Sequence, residues 1–306
     1  MDYVITSADD VVTTNVKYRS LRSSISPSCL LSTIMDDCIA RGKDIFTGGS
    51  HYTFYGLYIT GFSHCVDSLA AIKKLVYEEK RVSMEELTEA IRTDYAGKEP
   101  LRQMMINDAP KYGNDDKYVD DIAKRFMADF AAWAKKRNTY DDIKNSAEPG
   151  FTISCANGTF EHYHHFGRDC GASADGRHYM DTFASNYSPS LGADKNGPTA
   201  VIKSATHVNT KEFYSGGPVD IAISGDEFGG PKGPDRLSGL IESFCELGGA
   251  LMTLQCMDPE VLRDAQVHPE NHKNLRVRLG GLNAYFIALP KAQQDIIIRR
   301  AKGRSV

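Results

Sequence analysis

Apolar residues recur at helical spacing through the first half of the chain. Leu69, Ile72, Leu75 and Val76 share one face of a helix that Asp67 is placed to cap. Ser83-Met84-Glu85-Glu86 has the form of a capping box and opens a helix expected to run to about Ala96. Val119, Ile122, Phe126, Phe130 and Trp133 predict a longer amphipathic helix over 118–137, its aromatic stripe in the core. Over about 147–234 the pattern shortens. Gly, Ser, Asn, Asp and Pro separate brief apolar pieces, among them Phe151-Thr152-Ile153-Ser154 and Thr199-Ala200-Val201-Ile202, which read as short strands joined by long loops. Asp194-Lys195-Asn196-Gly197-Pro198 is a turn signal leading into the second of these strands, and Lys195 is a candidate for closing a site. Helices return over 237–247, stopped by Gly248-Gly249, and at Asp258-Pro259-Glu260, where Asp caps and Pro takes the first helical position. A last helix is expected from Pro290 to about Gly303. No repeat or flexible linker interrupts the chain, which predicts one compact unit.

Near the C-terminus, Leu275, Val277 and Leu279 alternate as a strand does, Gly280-Gly281 follow, and Leu282, Ala284, Tyr285 and Phe286 form an apolar run. Only glycine takes positive φ without strain, so a double glycine at a strand end suits a sharp loop whose tip enters a crowded interior.

Composition narrows the class. A chain of 306 residues can bury a large core in one domain or two. With 36 Lys+Arg against 40 Asp+Glu, a net charge of −4 and no basic block, nothing points to nucleic acid. No apolar run approaches the roughly 20 residues of a membrane span. Met1-Asp2-Tyr3-Val4-Ile5 lacks the basic start and apolar core of a signal peptide. Seven cysteines, an odd number without a CxxC pair, suit reduced thiols. A soluble, cytoplasmic α/β protein is expected.

Other clusters have bland readings. His162, His164 and His165 with Cys155 and Cys170 fit no closed zinc spacing, and a strand would put His162 and His164 on one face by its period alone. No metal site is expected there. Cys245 and Cys256 read as small buried hydrophobes. The glycine-rich run 225–234 has neither a phosphate-loop ending nor dinucleotide spacing and reads as a turn-rich loop. Asp115-Asp116 with Asp120-Asp121 reads as a solvated helix start.

Several motifs carry a family resemblance. They are Pro27-Ser28, Asp36-Asp37-Cys38-Ile39-Ala40-Arg41-Gly42-Lys43-Asp44, Asp67-Ser68-Leu69-Ala70-Ala71-Ile72-Lys73-Lys74-Leu75 and Ala109-Pro110-Lys111-Tyr112-Gly113-Asn114-Asp115-Asp116. Further along come Asp194-Lys195-Asn196-Gly197-Pro198-Thr199-Ala200, then Gln255, Leu262-Arg263-Asp264-Ala265-Gln266, His268-Pro269-Glu270, Val277-Arg278-Leu279-Gly280-Gly281 and Gln293-Gln294-Asp295. In this order, from about residue 27 to the end, they resemble the C-terminal part of glycyl radical enzymes, the pyruvate formate-lyase relatives that include glycerol, propanediol and choline lyases.

The resemblance implies an α/β fold: part of a ten-stranded α/β barrel over 1–235, and a C-terminal glycyl radical domain over 236–306. By alignment on Val277-Arg278 and Ala284-Tyr285-Phe286, the family's radical glycine falls on Gly281, not Gly280. A glycine α-carbon suits that task because it lies between a donating amide nitrogen and a withdrawing carbonyl, with no side chain to prevent flattening. Where the family has Tyr or Phe directly after this glycine, the chain has Leu282.

In the family, an activating enzyme using S-adenosylmethionine and an iron–sulfur cluster removes a hydrogen from the glycine, and no cofactor is bound to the lyase itself. The radical then passes to a cysteine in a Gly-Cys-x-Glu pattern. None of Cys29, Cys38, Cys65, Cys155, Cys170, Cys245 or Cys256 stands in that pattern. The chain is therefore expected to supply the radical loop for a small-molecule lyase or dehydratase while the cysteine region lies elsewhere, through truncation, a fragmentary reading frame or a split enzyme. A missing N-terminal half or companion subunit, the activating enzyme and a homodimer are the partners this implies. A non-catalytic spare part or inactive relative is the alternative.

Overall fold

The computed structural model describes residues 1–145, 151–158, 163–223, 225–279 and 282–302. The first half is mainly helical, as its apolar spacing requires: α1 (Asp2–Ile25), α2 (Cys29–Ile34), α3 (Cys38–Arg41), β1 (Thr53–Ile59), α4 (Phe62–Ala71), α5 (Met84–Arg92), α6 (Glu99–Asn107), α7 (Lys117–Arg137) and α8 (Asp141–Lys144). There follow β2 (Phe151–Asn157), α9 (Tyr163–Arg168), α10 (Gly197–His207), β3 (Pro218–Ile223), α11 (Gly225–Phe228), α12 (Gly233–Glu246) and β4 (Leu251–Cys256). The chain closes with α13 (Pro259–Val267), β5 (Arg276–Leu279), β6 (Leu282–Tyr285) and α14 (Lys291–Lys302). β1 pairs with β2, β3 with β4 in parallel, and β5 with β6 antiparallel.

Contacts divide the chain into two units where the sequence predicts one. Met1–Tyr58, Phe126–Ala156 and Glu212–Ser215 form the first; Ile59–Arg125, Asn157–Lys211 and Gly216–Val306 form the second. In the first unit, the buried Arg137 guanidinium is answered by Asp142 at 2.6 Å and Asp9 at 2.8 Å, which ties α1 to the end of α7. Asn138 then pins β2 by exchanging bonds with Ile153 N (2.7 Å) and O (2.9 Å).

Among the described residues, two apolar clusters lie in the second unit. Ala71, Leu75, Val82, Leu87, Met105, Ala109 and Ala174 form one, and Leu262, Ala265, Val277, Phe286, Ile297 and Ile298 the other. Burying a side chain such as Leu87 contributes roughly 2 kcal/mol.

Local signals set many boundaries. Ser83 accepts the Glu86 amide at 3.0 Å and Asp258 the Glu260 amide at 2.8 Å, so both predicted caps form. The helix after Ser83 stops at Arg92, short of Ala96, because Asp94 and Tyr95 turn to positive φ.

Four expectations are corrected. Thr199-Ala200-Val201-Ile202 lies inside helix α10, because Pro198 occupies its first turn and the apolar run faces the core at helical, not alternating, spacing. Asp67 caps nothing: α4 begins five residues earlier, after Gly61 at φ +74°, which leaves Asp67 on a buried face. Cys245 and Cys256 are exposed. Position 164 lies on the short helix α9 with His165, not on a strand with His162, and position 162 lies outside the described residues.

Gly113 shows how closely segments of the second unit approach. Its φ is +97°, and a Cβ there would overlap the Pro189 ring. Gly113→Ala should destabilise by about 2 kcal/mol or more, whereas Gly192→Ala, at φ +78° but in open space, should cost about 1. Urea unfolding midpoints of the two variants check this, and equal losses would mean the Pro189 contact is easily relieved.

Candidate functional site

Two places in the second unit bring chemistry-bearing residues together. The first is the β5–β6 hairpin. Its register pairs Arg276 with Tyr285, Val277 with Ala284, Arg278 with Asn283 and Leu279 with Leu282. Only positions 280 and 281 separate the last pair, so the double glycine joins the two strands; both residues lie outside the described ones. Val277 and Phe286 bury one face of the hairpin on α13 and α14. Gln255, at the end of β4, donates to the Arg278 carbonyl at 2.8 Å and fixes the strand leading to the glycines.

The second place is a cavity of about 250 Å³ beneath α14. Its floor grows from the polar face of α4. His64 donates from Nδ1 to Asp175 Oδ2 at 2.6 Å, while its Nε2 accepts the Ala184 amide at 3.2 Å. Asp175 also accepts Ser173 Oγ at 2.5 Å, and its amide donates to Ser68 Oγ at 3.1 Å. Burial would raise the Asp175 carboxyl, but the hydrogen bonds from His64 and Ser173 and the charge of Lys111 outweigh it and bring it down to about 2.

One helical turn on, Asp67 accepts the Tyr112 amide at 2.8 Å and Ser190 Oγ at 2.9 Å. Burial dominates there and pushes its carboxyl up to about 6, against the pull of Lys111 and those donors. Lys111 donates to the Met105 carbonyl at 2.8 Å and the Asp175 carbonyl at 3.2 Å, and burial lowers its ammonium. Arg177 donates to the carbonyls of Asp181 (2.7 Å), Cys170 (3.2 Å) and Gly171, with its guanidinium over the Phe183 ring. Lys195 and Arg299 stand at the rim. Both His64 nitrogens are engaged, so His64 is placed to hold the cavity wall and not to exchange a proton with a guest; among the described residues no cysteine lines the cavity.

Sequence reasoning reached Lys195, which does line this cavity, but missed His64, Asp67 in its true role, Asp175 and Arg177. Lys111 and Asp67 lay within the quoted motifs without an assigned task. His64 and Asp175 lie 111 residues apart and carry no local signal. Asp120 also departs from expectation. It is buried, accepts Ser204 Oγ at 2.8 Å and is pushed up to about 6 by burial. Burial likewise pushes the Cys155 thiol, on β2, up to about 12. Among the described residues, no group of three or more His, Cys, Asp or Glu could hold a metal ion.

Comparison with known proteins gives consistent matches. The pyruvate formate lyase-like family model matches residues 2–159, and the glycine radical model matches residues 183–287. The chain is 32% identical over 277 residues to trans-4-hydroxy-L-proline dehydratase of Clostridioides difficile, covering 90% of this chain and 34% of that one. It is 35% identical over 244 residues to isethionate sulfite-lyase of Nitratidesulfovibrio vulgaris, covering 78% and 28%. Among solved structures, hydroxyproline dehydratase from Clostridioides difficile with its substrate bound aligns with a TM-score of 0.85 at 31% identity, over 94% of this chain and 36% of that one. A glycyl radical enzyme from Archaeoglobus fulgidus gives 0.85 at 30%, over 96% and 36%. The chain spans about a third of the length of the curated relatives it matches.

Asp67 gives the cavity a measurable pH signature. Its carboxyl titrates near 6 in the fold against 3.8 unperturbed, so the folded chain holds this proton more tightly than the unfolded chain does. Its contribution to stability therefore falls as pH rises from about 4 to about 6 and stays low above. Asp67→Asn keeps an acceptor for Tyr112 and removes the charge. The urea midpoint of the unsubstituted protein should drop relative to this variant between about pH 4 and 6 and stay level above. A gap that does not change with pH would show that Asp67 is not buried as a charge.

Proposed function

The chain belongs to the pyruvate formate lyase-like family of glycyl radical enzymes, and from that premise we propose that it is the radical-bearing C-terminal part of a glycyl radical lyase or dehydratase. Gly281 stores the radical. The observation that carries this reading is the β5–β6 register, which leaves the two glycines alone between strands whose apolar face is anchored on α13 and α14. Apolar backing of the two strands suits this role because it fixes the segments on either side of the glycines. Leu282 keeps the position after the glycine apolar where the family has an aromatic ring.

In this reading, an activating enzyme using S-adenosylmethionine takes one hydrogen atom from the Gly281 α-carbon. The glycyl radical then takes a hydrogen atom from the thiol of a cysteine in a Gly-Cys-x-Glu pattern, restoring the glycine C–H and leaving a thiyl radical to attack substrate. None of the seven cysteines here stands in that pattern, so that cysteine comes from the remaining portion of the enzyme or a companion subunit, and the chain alone does not turn over substrate. The relatives are named as dehydratases, sulfite-lyases and a decarboxylase; loss of water or another group from a small substrate by C–O, C–N or C–C cleavage is the proposed reaction, with C–S cleavage the one the sulfite-lyases add. The match over residues 2–159 favours an enzyme part over a radical spare part, because a spare part needs only the glycine radical segment.

Oxygen cleaves a backbone at a glycyl radical, which supplies the test. Anaerobic treatment with a matched activating enzyme and S-adenosylmethionine, then brief air, should release a C-terminal piece of about 25 residues, seen by mass spectrometry as 282–306. Gly281→Ala should abolish the cut and Gly280→Ala should leave it. Cleavage that survives Gly281→Ala and is lost in Gly280→Ala would move the radical to the other glycine.

A further inference from the structure

The cavity beneath α14 carries more cationic donors than its own hydrogen bonds use, and we infer that it binds a small dianionic oxyanion of the phosphate type. Four basic side chains line it: Lys111, Arg177, Lys195 and Arg299. They come from different segments, and Arg299 lies on α14. Against them stand Asp67, Asp175, Asp181 and the imidazole of His64.

Those acceptors are already engaged. Asp67 takes Tyr112 N and Ser190 Oγ, Asp175 takes His64 and Ser173, and Asp181 takes the His178 amide at 3.2 Å. Among the described residues, none of the four cations forms an ion pair with a carboxylate.

Their donors, by contrast, are not exhausted. Lys111 spends two of its three N–H groups on carbonyls. Arg177 is 7% exposed, and its Nε is buried with no partner. A buried donor left unanswered is costly to the fold. The side chains of Lys195 and Arg299 reach the same space and have no acceptor among the described residues. Lys195 also acts on Lys111 as a like charge, a repulsion that a neutral guest would leave in place.

A metal cation would be repelled here, and a neutral carbonyl compound offers too few acceptors. A tetrahedral oxyanion supplies negative charge and several oxygens at once, and guanidinium and ammonium donors bond such oxygens well. Because Arg299 rides on α14, the bound oxyanion also ties that helix to the segments around residues 111, 177 and 195. The inference does not depend on which glycine carries a radical.

The test is a 31P NMR titration of inorganic phosphate with the full chain at constant ionic strength. Saturable line broadening is expected, displaced by sulfate but not by chloride. Lys195→Ala and Arg299→Gln, both exposed and so safe for folding, should each weaken phosphate binding by about tenfold. Lys273→Ala and Gly281→Ala should leave it unchanged, so this inference and the radical assignment fail separately. Phenyl phosphate distinguishes the source: tighter binding than inorganic phosphate identifies a phosphate monoester, and weaker binding identifies the free ion. Broadening that does not saturate, that chloride removes equally, or that survives both rim substitutions would overturn the site.

Discussion

A helix that buries polar residues in a core must be answered by donors and acceptors from elsewhere, and α4 imposes this demand on the second unit. Ser63, His64 and Asp67 are all buried on it. Their partners are the Ser188 carbonyl, Asp175, the Ala184 amide, the Tyr112 amide and Ser190 Oγ. Each lies on a segment without regular structure of its own, and a carboxylate stripped of water and left unanswered costs several kcal/mol. The loops around 112, 175 and 184–190 are therefore held in place by the side chains of one helix. Gly113 and Gly176 permit the close approach: a Cβ on the first would strike Pro189, and on the second Ile106.

The same economy extends to β3. Asp220, on that strand, is answered by Ser185 Oγ, by Asn186 Nδ2 at 2.8 Å and by Thr253 Oγ1 across the parallel pairing, while its amide donates to Ser188 Oγ at 2.8 Å. Segment 185–190 is thus bonded to α4 on one side and to β3 on the other. A loop fixed at both edges behaves as part of the scaffold, which is what a cavity wall requires.

Sequence reasoning succeeds here where a signal is local and fails where it is not. The caps at Ser83 and Asp258, the long helix α7 and the strand through Val277 are written within a few residues, and the structure has them; that the apolar run after the glycines is a second strand emerges only from its pairing. Asp67 looks like a cap because Asp usually is one; its real partners are 45 and 123 residues away. Thr199-Ala200-Val201-Ile202 has the β-branched look of a strand, yet the preceding proline and the tertiary burial of Ala200, Val201 and Ile202 favour a helix. Asp120 likewise reads as solvated until Ser204 is brought against it. The proposal that Gly281 stores a radical rests on family resemblance, since Gly-Gly by itself means a turn.

The cavity and the hairpin share one element, α14. Its Ile297 and Ile298 bury the apolar backing of β5 and β6, and its Arg299 faces the cavity. The two contacts differ in kind. Apolar burial carries no charge for counterions to screen, whereas the Arg299 guanidinium, without a carboxylate partner among the described residues, offers its charge to an anion in the space before it. An anion bound as proposed would therefore contact the same helix that backs the hairpin. The helix that backs the proposed radical hairpin is thus anchored in two ways, by apolar burial of Ile297 and Ile298 and by a charged side chain at the cavity.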